Sequence, residues 1–206
     1  MTRTRRALLP AASLLAVVSI GLALSIARAE EKPRREPRPA NWAQPLTRNG
    51  LPNLYKVTDD LYRGAQPTAE GMKELKAMGI KTVINLRDRH SDKELIGDTG
   101  LASESIHLKA WDSPEKEELL HFLRIVTDKT RAPVFVHCEV GADRTGVMCA
   151  MYRIVVCDWS KEETLKEMRE GGFGFHGIWK NLPHFIKELD VDAIKKELAS
   201  GERKKE

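Results

Sequence analysis

Val134-Phe-Val-His-Cys138-Glu-Val-Gly141-Ala-Asp-Arg144-Thr145-Gly146 decides how this chain folds. Pro133 to Val136 is an apolar run of strand length, and from Arg144 onward Val147, Ala150, Met151, Ile154 and Val155 recur at helical spacing. A buried strand therefore feeds a loop that opens a helix, with a cysteine at one end of the loop and an arginine at the other. Backbone N–H groups in such a loop converge at the positive end of the helix dipole, and Gly141 and Gly146 permit the tight geometry this needs. Glu139, Val140, Gly141, Ala142, Asp143 and Arg144 are thus the expected oxyanion-binding residues.

Inside that loop, N–H dipoles and a guanidinium favour the thiolate of Cys138 over its thiol, which makes it a nucleophile. Arg144 offers a planar fork that can hold two phosphoryl oxygens and meet the charge spreading over them in a transition state; lysine could not copy that geometry. Thr145 can offer its hydroxyl to the sulfur when a thiophosphate breaks down. His137 is expected to orient the loop through hydrogen bonds rather than to act as a base.

Outward from the loop, Leu54 to Val57 and Leu61 to Arg63 read as two short strands of a hairpin. Pro67-Thr68 starts a helix that carries Met72, Leu75 and Met78 on one face and ends at Gly79. Lys81-Thr-Val-Ile-Asn-Leu86 is a buried strand by its β-branched run, Ile106 and Leu108 mark another, and Leu119 to Val126 is a helix. Strands alternating with helices predict an α/β fold with a largely parallel central sheet flanked by helices on both faces. Ligands of such sheets gather beyond the carboxyl ends of the strands, where Arg87, the Lys109 to Ser113 loop and the Cys138 loop would emerge. Arg63 and Arg87 either flank the pocket or pin loops through ion pairs. Gly171-Gly-Phe-Gly-Phe-His176 can approach the site as a flexible segment or pack Phe173 and Phe175 into the core.

The loop resembles the cysteine-dependent protein tyrosine phosphatase superfamily, whose signature is His-Cys, five residues, Arg, then Ser or Thr; every fixed position is present here. Asp60-Leu-Tyr-Arg-Gly-Ala-Gln-Pro67, Gly79-Ile-Lys-Thr-Val-Ile-Asn-Leu-Arg87, Lys109-Ala-Trp-Asp112 and Glu170-Gly-Gly-Phe-Gly-Phe-His176 extend the likeness to the compact bacterial dual-specificity phosphatases, over roughly residues 51 to 190. The resemblance implies a phosphatase-like α/β fold. It also implies hydrolysis of phosphate monoesters through a cysteinyl-phosphate, without metal or other cofactor, acting on a phosphorylated protein (Tyr and Ser/Thr) or, alternatively, a phosphoinositide or inositol phosphate. The leaving oxygen needs a proton, and two aspartates compete to supply it. Asp112 lies where the superfamily places its acid loop, with helix capping before Glu115 as its structural alternative. Asp143 lies inside the phosphate loop, where some lipid-directed members carry an acid, with a loop-holding hydrogen bond as its alternative. A rhodanese-like sulfurtransferase is the enzymatic rival, disfavoured by the loop length and Thr145-Gly146; a catalytically dead phosphate-binding module is the non-enzymatic one.

The chain starts with Arg3, Arg5 and Arg6, an apolar stretch from Ala7 to Ala27 and an Ala27-Arg28-Ala29 junction, the pattern of a signal peptide over residues 1–29. The stretch is also long enough for an uncleaved membrane anchor. Either way the expectation is export, to a periplasm or the exterior. Residues 30–45 are proline-rich, charged and nearly free of aliphatic side chains, which predicts a linker. Residues 46–190 suffice for one catalytic domain, and residues 191–206 form a charged C-terminal helix or tail. The formal charge of +4 includes the N-terminal arginines, so the remainder is closer to neutral and no nucleic-acid footprint is indicated. Three cysteines suit no disulfide framework. Cys149 and Cys157 would lie roughly 12 Å apart along one helix, too far to pair, and no spacing suggests zinc. A protective bridge between Cys138 and Cys149 is the remaining disulfide option.

Overall fold

The computed structural model describes residues 37–109 and 112–202. Six strands form one sheet: β1 (Gln44–Pro45), β2 (Tyr55–Lys56), β3 (Leu61–Gly64), β4 (Thr82–Arg87), β5 (Ala102–Leu108) and β6 (Val134–His137), in the order β1-β2-β3-β6-β4-β5. The four strands β3, β6, β4 and β5 run parallel, and the hairpin of β2 and β3 with the short β1 adds an antiparallel edge. The expected hairpin and parallel sheet are both present. The active loop leaves β6, which lies between β3 and β4, so the loop sits over the middle of the sheet.

Side chains on β4 and β6 alternate between two cores, as a twofold strand period requires. Val83 and Phe135, paired in register, face Met72 and Leu75 of α1 (Ala69–Ala77) and Ile96 of α2 (Lys93–Ile96). Ile84, Leu86, Val134 and Val136 face the larger core, with Phe122 and Leu123 of α3 (Lys116–Thr127) and Met148 and Met151 of α4 (Asp143–Val155). Every residue of α4 from Thr145 to Val155 is buried. Its neighbours α3, α5 (Lys161–Glu170), α6 (Asn181–Glu188) and α7 (Val191–Glu202) enclose it, which explains why its apolar pattern runs all round instead of forming one stripe. The helix whose N-terminus makes the oxyanion loop is therefore held rigidly.

Residues 1–36, which contain the expected signal peptide and the start of the expected linker, lie outside the described residues. The rest of that linker, residues 37–45, is part of the folded body, so the boundary expected at residue 46 is corrected to residue 37. Ala43 is buried, and its N–H donates to Glu167 Oε1 at 2.6 Å. Arg38 donates to the carbonyls of Ala43 and Gly171 at 2.6 and 2.8 Å, and its guanidinium lies over Tyr55 and Phe173. A charged, proline-rich segment docks here because its arginine and backbone satisfy carbonyls and a carboxylate of the domain, with little aliphatic burial. At the other end α7 buries Ile194 in the larger core. Cys138, Cys149 and Cys157 are all free thiols, so the optional Cys138 to Cys149 bridge is not formed. Cys149 is an inert buried thiol, its pKa pushed up to about 11 by burial.

Candidate active site

Cys138 follows the last residue of β6, and its Sγ accepts the Gly141 N–H at 3.2 Å. This bond depends on the backbone of Gly141, whose φ of +76° belongs to the region that side chains disfavour. Space forbids a side chain as well: a Cβ there would lie 2.4 Å from the Gly64 carbonyl oxygen. The other loop glycine plays no such part. Gly146 is inside α4, donates a regular helical bond to Ala142 at 2.9 Å, and could bear a methyl group in ordinary contact with Met168.

Two arginines left open between pocket and pin are pins. Arg63 is buried; its Nη2 donates to the carbonyls of Gly141 at 2.7 Å and Ala142 at 3.4 Å, while its guanidinium stacks on Phe173 at 3.8 Å. Turning these carbonyls toward Arg63 leaves the opposite, N–H, side of the loop free for the sulfur and an anion. Arg87 donates to Gln66 Oε1 at 2.9 Å and approaches Glu139 at 4.0 Å. Phe173 is a core residue, edge-on to Tyr55, and Asn53 clamps its carbonyl and that of Val140 at 3.0 Å each.

His137 does orient the loop, and it acts with a residue that sequence reading missed. Its ring is fully buried between the Cys138 carbonyl, 3.0 Å from Nδ1, and the Asp92 carboxylate, 2.6 Å from Nε2. Both neighbours are oxygens, so the ring is held at each of its nitrogens and its orientation is fixed against the loop. Burial alone would raise the Asp92 pKa, but the His137 hydrogen bond and charge, the Gln66 amide and Arg87 together outweigh it and hold the carboxyl below its ordinary value. Asp92 occupies the position before α2, yet its side chain caps nothing there. Its 45-residue separation from His137 left no local signal.

Above the loop is a cleft of about 270 Å³, with Cys138, Arg144 and Asp143 at its base and Val140, Ile178, Trp179 and His176 around it. Glu139 also lines it; Gly141 and Ala142 are buried beneath. Thr145 is fully buried, but its Oγ1 has no hydrogen-bond partner among the described residues, so the expected bond to Cys138 is not made. Asp143 is committed: its two carboxylate oxygens accept the His176 N–H at 2.9 Å and face His176 Nδ1 at 2.8 Å. Asp112 is outside the cleft lining, half exposed and 3.6 Å from Lys109 Nζ. It does not cap α3, whose own Glu115 forms a capping box with Glu118. The segment start is nevertheless tied to the site, since Arg144 Nη1 donates to the Leu108 carbonyl at 3.4 Å.

A cysteine receiving a loop N–H at the start of a buried helix, with an arginine in the same cleft, defines the cysteine-dependent phosphatase class. A family model described as "DSP-PTPase phosphatase fused to NAD+ Kinase" matches residues 40–181, and the chain belongs to this DSP-PTPase family. The dual specificity protein phosphatase TpbA of Pseudomonas aeruginosa (strain UCBPP-PA14) is 35% identical over 167 residues, 81% of this chain and 75% of that protein. The inositol diphosphatase DSP5 of Arabidopsis thaliana is 28% identical over 158 residues, 72% of this chain and 75% of that one. Among solved structures, P. aeruginosa TpbA in complex with pTyr superposes with a TM-score of 0.71 at 32% identity, covering 79% of this chain and 99% of that one.

Proposed function

We propose that the chain hydrolyses phosphate monoesters of phosphoproteins, phosphotyrosine foremost with phosphoserine and phosphothreonine accepted, by way of a cysteinyl-phosphate at Cys138. The observation that carries this reading is the Gly141 N–H on the Cys138 sulfur at the opening of α4, with Arg144 in the same cleft. The Cys138 thiolate attacks phosphorus, the bond from phosphorus to the leaving oxygen breaks, and that oxygen takes a proton from an aspartic acid. Water then attacks the phosphoenzyme, giving its proton back to the same aspartate, and the P–S bond breaks to release phosphate and the thiolate. Arg144 and the loop N–H groups meet the equatorial oxygens throughout.

Asp112 is the acid in this reading. Asp143 has both oxygens occupied by His176, which leaves it the task of holding the cleft wall. Among the described residues Asp112 meets only exposed Lys109, and its movement toward Arg144 as substrate binds would complete the site. The expected contribution is about 10²–10⁴-fold, and pH–rate profiles separate the two aspartates. Asp112→Asn removes the basic limb that reports the protonated acid, whereas Asp143→Asn leaves that limb in place; the reverse pattern would make Asp143 the acid.

Two large apolar side chains that stand exposed, Val140 and Ile178, both border the cleft beside Trp179. An aromatic phosphate ester would cover them, and the pTyr complex of TpbA supports that choice. The relationship to an inositol diphosphatase supports the alternative substrate class, while Glu139 at the rim opposes very highly charged polyphosphates. Comparing kcat/KM across phosphotyrosine and phosphoserine peptides, phosphoinositides and soluble inositol phosphates decides, with phosphotyrosine peptides expected to lead. Export is part of the proposal, supported by the basic start, apolar run and Ala27-Arg28-Ala29 junction. Exported protein should begin at Glu30 by mass spectrometry; intact Met1 in a membrane fraction would mean an anchor.

A further inference from the structure

The segment from Phe175 to Lys180 is a partition between two clefts. His176, Ile178 and Trp179 face the catalytic cleft, while Phe175, Gly177 and Lys180 line a second one of about 220 Å³ on the other side. Four basic residues converge on this second cleft: Lys180, His184 and Lys187, spaced four and three apart so that they share one face of α6 and its approach, and Arg169 from the last turn of α5. Among the described residues no carboxylate lines it. None of these four side chains makes an ion pair or side-chain hydrogen bond among the described residues. The like charges of Arg169, Lys180 and Lys187 repel one another, and the cost is not imposed by composition, since the chain beyond its N-terminal arginines is close to balanced. A solvated surface would splay such cations over a convex face; here they line a concavity one chain-thickness from the catalytic loop.

We propose that this second cleft is a substrate subsite for an acidic side chain of a phosphopeptide, seated while the phosphorylated residue occupies the Cys138 cleft. The inference rests on the phosphatase reading. A peptide fits better than a ring of phosphates because the partition that it must cross presents Ile178, Trp179 and Phe175 and because the catalytic cleft carries Glu139 at its rim. Charge-assisted hydrogen bonds from Arg169, Lys180 and Lys187 to a carboxylate would then select sequences with an acid at one fixed distance from the phosphoresidue.

The test compares the exported chain with an Arg169→Ala, Lys180→Ala, Lys187→Ala variant on phosphotyrosine peptides that carry glutamate or alanine at successive flanking positions, with p-nitrophenyl phosphate as a substrate too small to reach the subsite. The parent enzyme should favour one glutamate register by about tenfold in kcat/KM, expressed in KM, the size of one charge-assisted bond. The variant should lose this preference and keep its p-nitrophenyl phosphate turnover. Lys187→Glu should move the preference toward lysine-flanked peptides, a readout that does not depend on deletion. Absence of any acidic preference in the parent, a preference that survives in the variant, or loss of p-nitrophenyl phosphate turnover in the variant would each overturn the subsite. So would a variant effect confined to inositol polyphosphates, which would assign the cleft to that class. A parent enzyme inert toward p-nitrophenyl phosphate would instead sink the phosphatase reading itself.

Discussion

Replacing Gly141 by alanine would put a methyl group 2.4 Å from the Gly64 carbonyl in a backbone with φ of +76°. The loop must then shift, and the N–H that reaches the Cys138 sulfur shifts with it. Loss of one oriented donor in an oxyanion site costs about 10²–10³-fold in kcat, and Gly141→Ala should fall in that range while vanadate affinity drops in parallel. Normal activity would mean that the loop is not held by Gly64. Asp92 allows a pH test. Its carboxyl is held below the ordinary 3.8, so the stability it adds is fully present above that value and is lost as pH falls through the folded-state pKa. The gap in melting temperature between the parent and Asp92→Asn should be constant at neutral pH and close only in acid; a gap that closes near pH 7 would contradict the assignment. The loop residues were legible because phosphate chemistry confines them to a short, fixed spacing. Asp92 was not, since it follows His90-Ser91 in a polar stretch with no repeating pattern, and only the folded chain brings it to His137.

Elements carry the next level of order. α4 and α5 are joined by the buried pair of Arg153 and Glu167, bidentate at 2.9 and 2.8 Å, with Arg153 also over the Trp159 ring. Glu167 is shared with the Ala43 N–H, so one carboxylate holds two helices and the N-terminal segment. Glu167→Ala strands a buried guanidinium and should cost about 3–5 kcal/mol. Denaturant unfolding measures this, and limited proteolysis should show new cleavage between residues 37 and 45; a loss below about 1 kcal/mol would place the pair among surface-type bridges. Strands β2 to β6 and helices α1, α3 and α4 were readable because their apolar residues form short buried runs or repeat every three to four residues. The docking of residues 37–45 was hidden, because composition registers their charge and proline but not the carbonyls of Ala43 and Gly171 that meet Arg38.

For the whole molecule, the corrected boundary predicts how much chain can be trimmed. Removing residues 1–36 should leave melting temperature and phosphatase activity unchanged, whereas removing residues through Pro45 should lower stability by deleting β1, Arg38 and the Ala43 contact. Equal stability of the two truncations would restore the boundary at residue 46. The central claim is the covalent step at Cys138. Rapid acid quench of the protein turning over an aryl phosphate, followed by peptide mass spectrometry, should find one phosphoryl group on Cys138 that disappears in Cys138→Ser together with turnover. Continued turnover in that variant, or phosphate trapped on another side chain, would contradict the account.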